Sequence, residues 1–342
     1  MRSNCSLRLV LALSASAVFS HTAHAQIPTT RFVATNSAFN GSGCGARERP
    51  CRTIAQAVLN AADGDLIEVG PGTYTGTITI GKSLEIYSTA GAALTLIRDA
   101  TFRNTAQVDI QASGVTFGRL NGGFTLVGNR EQLVGIAGVN VGGGEVNAQV
   151  SDVTISGNVI VNHTFGIMVT DHASRTRIEG NTAIHMLEGF EILGPDSVVI
   201  DNVASDNDRG FFVGSRWTTF STNTALGNGV GIDVGSQAVN QMSDNSIIGN
   251  TQAGLRFLNF PQPSGRLVLR RNNFYGNGDF ADGCGVSNFS GLVIDATHNY
   301  WGKADGPGPN PGDRAYGTCL FRGSTLTTPF SATPFPVGPS SQ

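Results

Sequence analysis

The sequence contains little charge and almost no lysine. Charged residues make up 14% of the 342 residues, against roughly 25% in an ordinary globular domain, and Lys82 and Lys303 are its two lysines. Because no run of basic residues exists, we expect no nucleic-acid-binding surface. No stretch of about 18 apolar residues exists either, so we expect no membrane span.

Glycine and apolar residues are abundant instead. The chain holds 45 glycines, and 40% of its residues are hydrophobic. This apolar content is enough to bury a large core, so we do not expect disorder over most of the chain.

The N-terminus has the pattern of an export signal. Two arginines accompany an apolar run over residues 9–19, which is too short to span a bilayer, and Ala-His-Ala at residues 23–25 has the form of a cleavage site. We therefore expect residues 1–25 to be a signal peptide and the protein to be periplasmic or secreted.

Four cysteines remain once residues 1–25 are removed: Cys44, Cys51, Cys284 and Cys319. An even number in an exported protein predicts disulfides, and four cysteines allow three pairings. The repeats described next separate the cysteines into two pairs along the chain, which favours Cys44–Cys51 and Cys284–Cys319. A zinc site is disfavoured because CxxC-type clustering is missing.

A repeat of 21–23 residues occupies the middle of the chain. In each unit an asparagine is followed eight residues later by a glycine and then by an apolar-x-apolar motif, and the last unit carries one inserted residue. The asparagines of the five units are Asn158, Asn181, Asn202, Asn223 and Asn245. Such a regular period is the signature of a repeat architecture.

The repeat unit predicts a parallel β-helix. It holds short β-branched runs broken by Gly, Asn and Asp, and no segment long enough for a helix. One unit cannot bury its apolar side chains alone, whereas stacked units pair in parallel at about 4.8 Å. A leucine-rich repeat would need a leucine scaffold that is missing, and a β-propeller would need units near 40 residues. We predict an all-β solenoid of roughly ten coils.

The repeated asparagines have a structural interpretation. Asn tolerates the left-handed conformation that a sharp corner requires, and stacked identical amides can bond from coil to coil. We expect these five residues to form a buried ladder rather than a ligand site.

The ends of the chain differ from its middle. Residues 53–62 have the apolar spacing of an amphipathic helix, and Thr53 with Gln56 fits a capping box. We expect this helix to close the solenoid within an N-terminal cap over about residues 26–64. The β-helix domain as a whole would span residues 26–326, followed by an irregular Pro/Ser/Thr-rich tail over residues 327–342.

Three segments resemble the pectin-lyase-like superfamily. Residues 51–74 (CRTIAQAVLNAADGDLIEVGPGTY) resemble its opening segment, and the asparagine units resemble the repeats of its carbohydrate-binding and sugar-hydrolase members. Asn-Tyr-Trp-Gly at residues 299–302, followed by Gly-Pro-Gly at 306–308, is similar to a closing segment of uncharacterised members. The resemblance covers roughly residues 31–325 and implies a right-handed parallel β-helix.

The resemblance says less about activity, because the superfamily holds lyases, hydrolases, esterases, epimerases and non-enzymes. The sequence lacks the family's activity motifs, such as Asp-Pro-His of alginate epimerases or Trp-Ile-Asp-His of pectate lyases. Three interpretations stay open: a polysaccharide-binding protein, a polysaccharide lyase or inverting glycosidase acting on an acidic glycan, and a periplasmic accessory protein for maturation of another enzyme. The expected partner is a polysaccharide. We expect a monomer.

Candidate site residues come from the alternation of side chains along a strand. The middle residue of each apolar-x-apolar motif should point outward, so that Glu191, Phe212, Asp233 and Arg256 form one column. Two carboxylates two coils apart lie about 9.6 Å from each other at 4.8 Å per coil, close to the roughly 6.5–9.5 Å of inverting glycosidases. The predicted catalytic residues are Glu191, Asp233 and Arg209. The predicted substrate-binding residues are Phe212, Trp217, Arg256, Glu188 and Arg216. We predict no cofactor and no metal ligand, and no motif supports a calcium site.

Overall fold

The computed structural model describes residues 28–98, 106–128, 137–143, 149–235, 241–258, 267–278, 284–290, 292–308, 313 and 324–336. The predicted signal peptide at residues 1–25 and Cys319 lie outside the described residues. Within them, short parallel strands form three long sheets, which we name sheets 1, 2 and 3 in the order in which each coil visits them.

Sheet 1 has twelve strands: Thr30–Val33, Leu66–Val69, Glu85–Ser88, Thr116–Phe117, Thr154–Ser156, Arg177–Glu179, Val198–Ile200, Thr219–Ser221, Gln241–Ser243, Val268–Arg270, Val293–Asp295 and Ser324–Leu326. Sheet 2 has nine: Gly72–Thr75, Thr95–Arg98, Thr125–Val127, Val159–Val161, Thr182–Ile184, Val203–Ser205, Thr224–Leu226, Ser246–Ile248 and Asn273–Tyr275. Sheet 3 also has nine: Ile78–Ile80, Val108–Ile110, Ala137–Val141, Phe165–Val169, Glu188–Ile192, Arg209–Val213, Val230–Val234, Ala253–Phe257 and Cys284–Asn288. A further pair, Val150–Ser151 and Ala173–Ser174, forms a two-stranded sheet.

Each strand pairs in parallel with its counterpart in the next coil, which confirms the β-helix predicted from the repeat. In sheet 1, for example, Ile155 pairs with Ile178 and Ile178 with Val199. These three side chains are fully buried, so the core is a set of apolar columns running along the solenoid. Among the described residues nine coils contribute a strand to every sheet, and the total of roughly ten coils stays a prediction.

A buried asparagine ladder marks the corner between sheets 1 and 2. The side-chain oxygen of Asn223 accepts from the backbone N–H of Asn202 at 3.0 Å and from its Nδ2 at 3.1 Å. The Nδ2 of Asn202 also donates to the carbonyl of Ile178 at 2.9 Å. The same bonds join seven consecutive coils: Asn158, Asn181, Asn202, Asn223, Asn245, Asn272 and Asn299.

The left-handed corner lies one residue earlier than we expected. The residue before each asparagine has a positive φ, for example Asp201 at 56° and Thr222 at 57°, and the ladder asparagines themselves do not. The amide therefore serves as a buried bonding group, and the preceding residue makes the turn.

A second ladder follows five residues later and was not predicted. Asn207, Asn228, Asn250 and Asn277 stack in the same way at the corner between sheets 2 and 3. The last rung is a carboxylate: Asp313 accepts from the Nδ2 of Asn277 at 2.6 Å.

The helix spans Ile54–Asn60 and packs its buried residues Ile54, Ala57 and Val58 against the first coil. The hydroxyl of Thr53 accepts from the backbone N–H of Gln56 at 3.2 Å, but the capping box is only half formed. The Gln56 side chain donates to Asn60 instead. That the helix closes the end of the solenoid stays a prediction.

The predicted disulfide between Cys44 and Cys51 is present beside the helix. Cys284 is buried and disulfide-bonded; because Cys319 lies outside the described residues, that pairing stays a prediction. In the part of the chain that the structure describes, no helix is long and apolar enough to cross a membrane.

Candidate functional site

The outer face of sheet 3 carries most of the candidate residues. Glu191 pairs with Phe212, Phe212 with Asp233, and Asp233 with Arg256. The four side chains therefore form one column across four coils, in the register that the repeat predicts. The residues directly before the glycine of each strand form a second column, in which Glu188 pairs with Arg209.

A column of glycines lies between these two columns. A Cβ on Gly210 would lie 2.5 Å from the carbonyl oxygen of Gly231, and one on Gly189 would lie 2.6 Å from that of Gly210. A side chain is therefore excluded at these positions. Arg209 forms an ion pair with Asp233 in the next coil, which lies two coils from Glu188.

Asp233 is the anchor of an ion-pair network and differs from what we expected. Its side chain is 0% exposed, although the strand alternation predicts a solvent-facing residue. Arg256 binds it through two bonds, Nε to Oδ1 at 2.6 Å and Nη2 to Oδ2 at 2.7 Å. The Nε of Arg209 lies 2.6 Å from Oδ2. Both carboxylate oxygens of Asp233 are thus bonded to arginine.

Glu188 extends the network by one coil. Its Oε1 accepts from the Nη1 of Arg209 at 2.7 Å, while its Oε2 is buried without a hydrogen-bond partner among the described residues. Burial raises the pKa of Glu188, and Arg209 opposes this shift.

Glu191, in contrast to Glu188 and Asp233, forms no ion pair with a described residue. Among the residues that the structure describes, it has no hydrogen bond or ion pair. Burial raises its pKa, the nearby Glu188 raises it further, and Arg209 lowers it. A half-buried acid with a raised pKa is a candidate proton donor to a bound molecule.

Aromatic rings flank the charged residues. The guanidinium of Arg209 lies 5.1 Å from the ring centroid of Phe212, which lies between the coils of Glu191 and Asp233. Trp217 and Arg216 lie apart from this column, in the turn between sheets 3 and 1. Trp217 is 63% exposed and adopts a left-handed φ of 55°. This backbone conformation is unfavourable for a residue other than glycine, and it places the exposed indole at the corner.

The polar face continues toward the N-terminal coils, beyond the residues that the sequence pointed to. Asp109 accepts from the Nδ2 of Asn140 at 2.9 Å and from the Nε2 of Gln111 at 2.6 Å. Asn140 occupies the Glu191 column two coils earlier. The alternation within strands Val108–Ile110 and Ala137–Val141 is the signal that could have found them. In the described ranges, no cluster of three or more His, Cys, Asp or Glu side chains could hold a metal ion.

Comparison with known proteins supports the fold. Residues 137–299 match the family model described as the right-handed β-helix region. A rhamnogalacturonan lyase superposes with a TM-score of 0.62 at 12% identity, covering 89% of this chain and 88% of that one. The A-module of the mannuronan C-5 epimerase AlgE4 from Azotobacter vinelandii gives 0.54 at 20% identity, covering 70% of each chain. The pectate lyase Pel9A gives 0.50 at 17% identity, covering 90% and 80%.

Comparison of the sequence with curated proteins finds no match. At these identities the structural likeness establishes the fold alone. The chain therefore has the right-handed parallel β-helix fold.

Proposed function

We propose that this protein binds an extracellular or cell-envelope polysaccharide along the outer face of sheet 3. The observation that carries the proposal is the group of Glu188, Glu191, Arg209 and Arg256 around the ring of Phe212, in which the buried Asp233 binds both arginines. The export signal expected at residues 1–25 would place this surface outside the cytoplasm.

The chemistry of the surface suits a sugar. The apolar face of a pyranose ring packs on an aromatic ring such as Phe212. Arg209 and Arg256 keep 29% and 26% of their side chains exposed, which leaves donors for hydroxyl or carboxylate oxygens. Proteins that share the fold are named for mannuronan, pectate and rhamnogalacturonan, and these names support a glycan as the ligand here.

A second candidate function is cleavage of the bound glycan, favoured by Glu191 alone. Its raised pKa suits a general acid, and Arg209 with Arg256 could neutralise a uronate in a lyase. The pairing of Asp233 with two arginines weighs against Glu191 and Asp233 as the two free carboxylates of an inverting glycosidase. Binding without turnover is therefore the stronger proposal.

A panel of polyuronates and neutral glycans tests the proposal by calorimetry, with unsaturated products and reducing ends measured in parallel. Phe212→Ala should weaken binding about tenfold, as expected for loss of a ring contact of roughly 1.4 kcal/mol. Tyr275→Ala is the matched control, because Tyr275 is an exposed aromatic residue on the outer face of sheet 2.

If the protein also cleaves a glycan, Glu191→Gln should lower the rate at least ~100-fold with the fold intact. Equal effects of Phe212→Ala and Tyr275→Ala would contradict a binding site on sheet 3. A Glu191→Gln variant that cleaves at the parent rate would exclude Glu191 as the acid.

A further inference from the structure

A cleft at the C-terminal end of the solenoid is separate from the face of sheet 3. It has a volume of about 540 Å³, within the size range of sites for small organic ligands. Its lining comes from the last corners between sheets 1 and 2 and from the chain after strand Ser324–Leu326. The lining residues are Arg270, Arg271, His298, Phe330, Ser331 and Phe335.

The ladder geometry builds one wall of this cleft. Arg271 and His298 are left-handed corner residues, with φ of 56° and 61°, and each directly precedes a ladder asparagine. The backbone N–H of Arg271 donates to the carbonyl of His298 at 2.9 Å. The two side chains therefore come from adjacent coils at one corner, where the regular stacking of the ladder brings them together.

The chain that follows sheet 1 builds the opposite wall. Phe335 exchanges two hydrogen bonds of 2.9 Å with the side chain of Asn273 in sheet 2. Phe330 packs against the hydrophobic core. Two phenyl rings are thus fixed beside the corner.

Two arginines line the cleft, and Arg271 is the one whose Nη nitrogens can bind a ligand. The Nη1 and Nη2 of Arg270 are bound to Asp295 at 2.8 and 2.7 Å. Arg271, in contrast, donates through its Nε to Asp244, and its Nη nitrogens have no hydrogen bond to a described residue. Its guanidinium lies 5.0 Å from the ring centroid of Phe335, and 55% of its side chain is exposed. No carboxylate belongs to the described lining.

We propose that this cleft binds a uronic-acid unit of an acidic glycan. The carboxylate would accept from the two Nη nitrogens of Arg271, a two-bond arrangement that adds geometric specificity as well as energy. The exposed imidazole of His298 lies within the same wall and would bond to a ring hydroxyl. The apolar face of the sugar ring would pack on Phe330 and Phe335. A small inorganic anion would bind the arginine but would make no contact with the two phenyl rings, so the lining fits a sugar acid better. The proposal does not depend on the function of sheet 3.

The test is calorimetric titration of the full protein with trigalacturonate, with maltotriose as the neutral counterpart and inorganic phosphate as the ringless anion. Arg271→Asn removes the guanidinium and keeps a residue that accepts the left-handed conformation. Arg175→Asn is the matched control: Arg175 is also an exposed left-handed corner residue, and it too is paired with an aspartate, Asp152.

We expect trigalacturonate to bind the parent, and Arg271→Asn to weaken it at least about tenfold, the effect of losing a charge-assisted hydrogen-bonded pair. Phe335→Ala should weaken it as well, whereas Arg175→Asn should leave binding at the cleft unchanged. Maltotriose and phosphate should bind at least about tenfold more weakly.

Three results would overturn the proposal. One is trigalacturonate binding that Arg271→Asn does not change. Another is phosphate or maltotriose binding as tightly as the uronate. The third is binding that Phe212→Ala abolishes and Arg271→Asn does not, which would assign the uronate to sheet 3 and leave the cleft without a ligand.

Discussion

The asparagine ladder inside the solenoid and the charged cluster on the outer face of sheet 3 both gain one residue per coil, yet they differ in composition. Every rung of the ladder is the same residue in the same bonds, because each coil repeats one buried geometry. On the outer face the successive residues Met168, Glu191, Phe212, Asp233 and Arg256 are all different. A buried hydrogen-bond ladder favours the same residue at successive rungs, whereas a stacked surface leaves each position open to a separate chemical task.

The largest effect is expected from breaking the ladder at its centre. Asn202→Leu removes the acceptor of Asn181 and the donor to Ile178 and Ile200, and each unsatisfied buried group costs about 1–3 kcal/mol. We expect the free energy of unfolding to fall by about 3 kcal/mol in denaturant titration. Thr224→Leu, a leucine on the outer face of sheet 2, is the control and should change it by less than about 0.5 kcal/mol. Equal stability of the two variants would show that the ladder is not a structural element.

A smaller effect is expected when the outer cluster loses its best-buried cation. Arg256→Met removes the two-bond partner of the buried Asp233 and leaves Arg209 as its remaining cation. We expect a loss of about 2 kcal/mol in thermal and denaturant unfolding, since removing one partner of a buried pair is costly. Arg175→Met is the matched control, because Arg175 holds Asp152 by the same two bonds on an exposed surface. Its loss should change stability little, and a loss as large as that of Arg256→Met would mean that burial is not the cause.

The second ladder ends in an acid, Asp313, where the other rungs are amides. The pH dependence of stability should show the difference between the two kinds of rung. Burial raises the pKa of Asp313 to about 6 from the ordinary value of 3.8. The folded state therefore holds this proton more tightly than the unfolded state, and stability should fall as the pH rises from about 4 to about 6, by at most ~1.4 kcal/mol per pH unit.

Asp313→Asn replaces the acid with the residue found at the other rungs. We expect this variant to lose that pH dependence and to be more stable than the parent at pH 7. The measurement is denaturant unfolding at several pH values between 4 and 7. A parent and variant with parallel pH profiles would disprove the assignment of the proton to Asp313.

The smallest change in stability is expected at Trp217, where the exposed indole contributes surface and little packing. Trp217→Asn retains a residue that accepts the left-handed φ, so the free energy of unfolding should shift by less than about 0.5 kcal/mol. If the indole serves the glycan, calorimetric affinity should nevertheless fall. A clear loss of stability with unchanged affinity would make Trp217 a structural residue.

Much of the fold could be predicted because its signals are local and repeated. The spacing of Asn158, Asn181 and Asn202 gave the period, and apolar alternation gave the strands. The second ladder, beginning at Asn207, follows the same period and was open to the same reasoning. The half-formed capping box could not be predicted in this way. The bond from Gln56 to Asn60 competes with the expected bond to Thr53, and sequence spacing alone does not show which of the two bonds forms.

The sequence by itself determined that this protein is a stacked parallel β-helix, and it determined which residues share the outer column of sheet 3. Repeat length and side-chain alternation are properties of the chain, and the strands follow from them. Only the tertiary structure decided which acids of that column are free. Arg209 and Arg256 reach across coils to bury Asp233 and leave Glu191 without an ion pair to a described residue, because the partner of a long side chain depends on the distances between coils rather than on its position in the repeat.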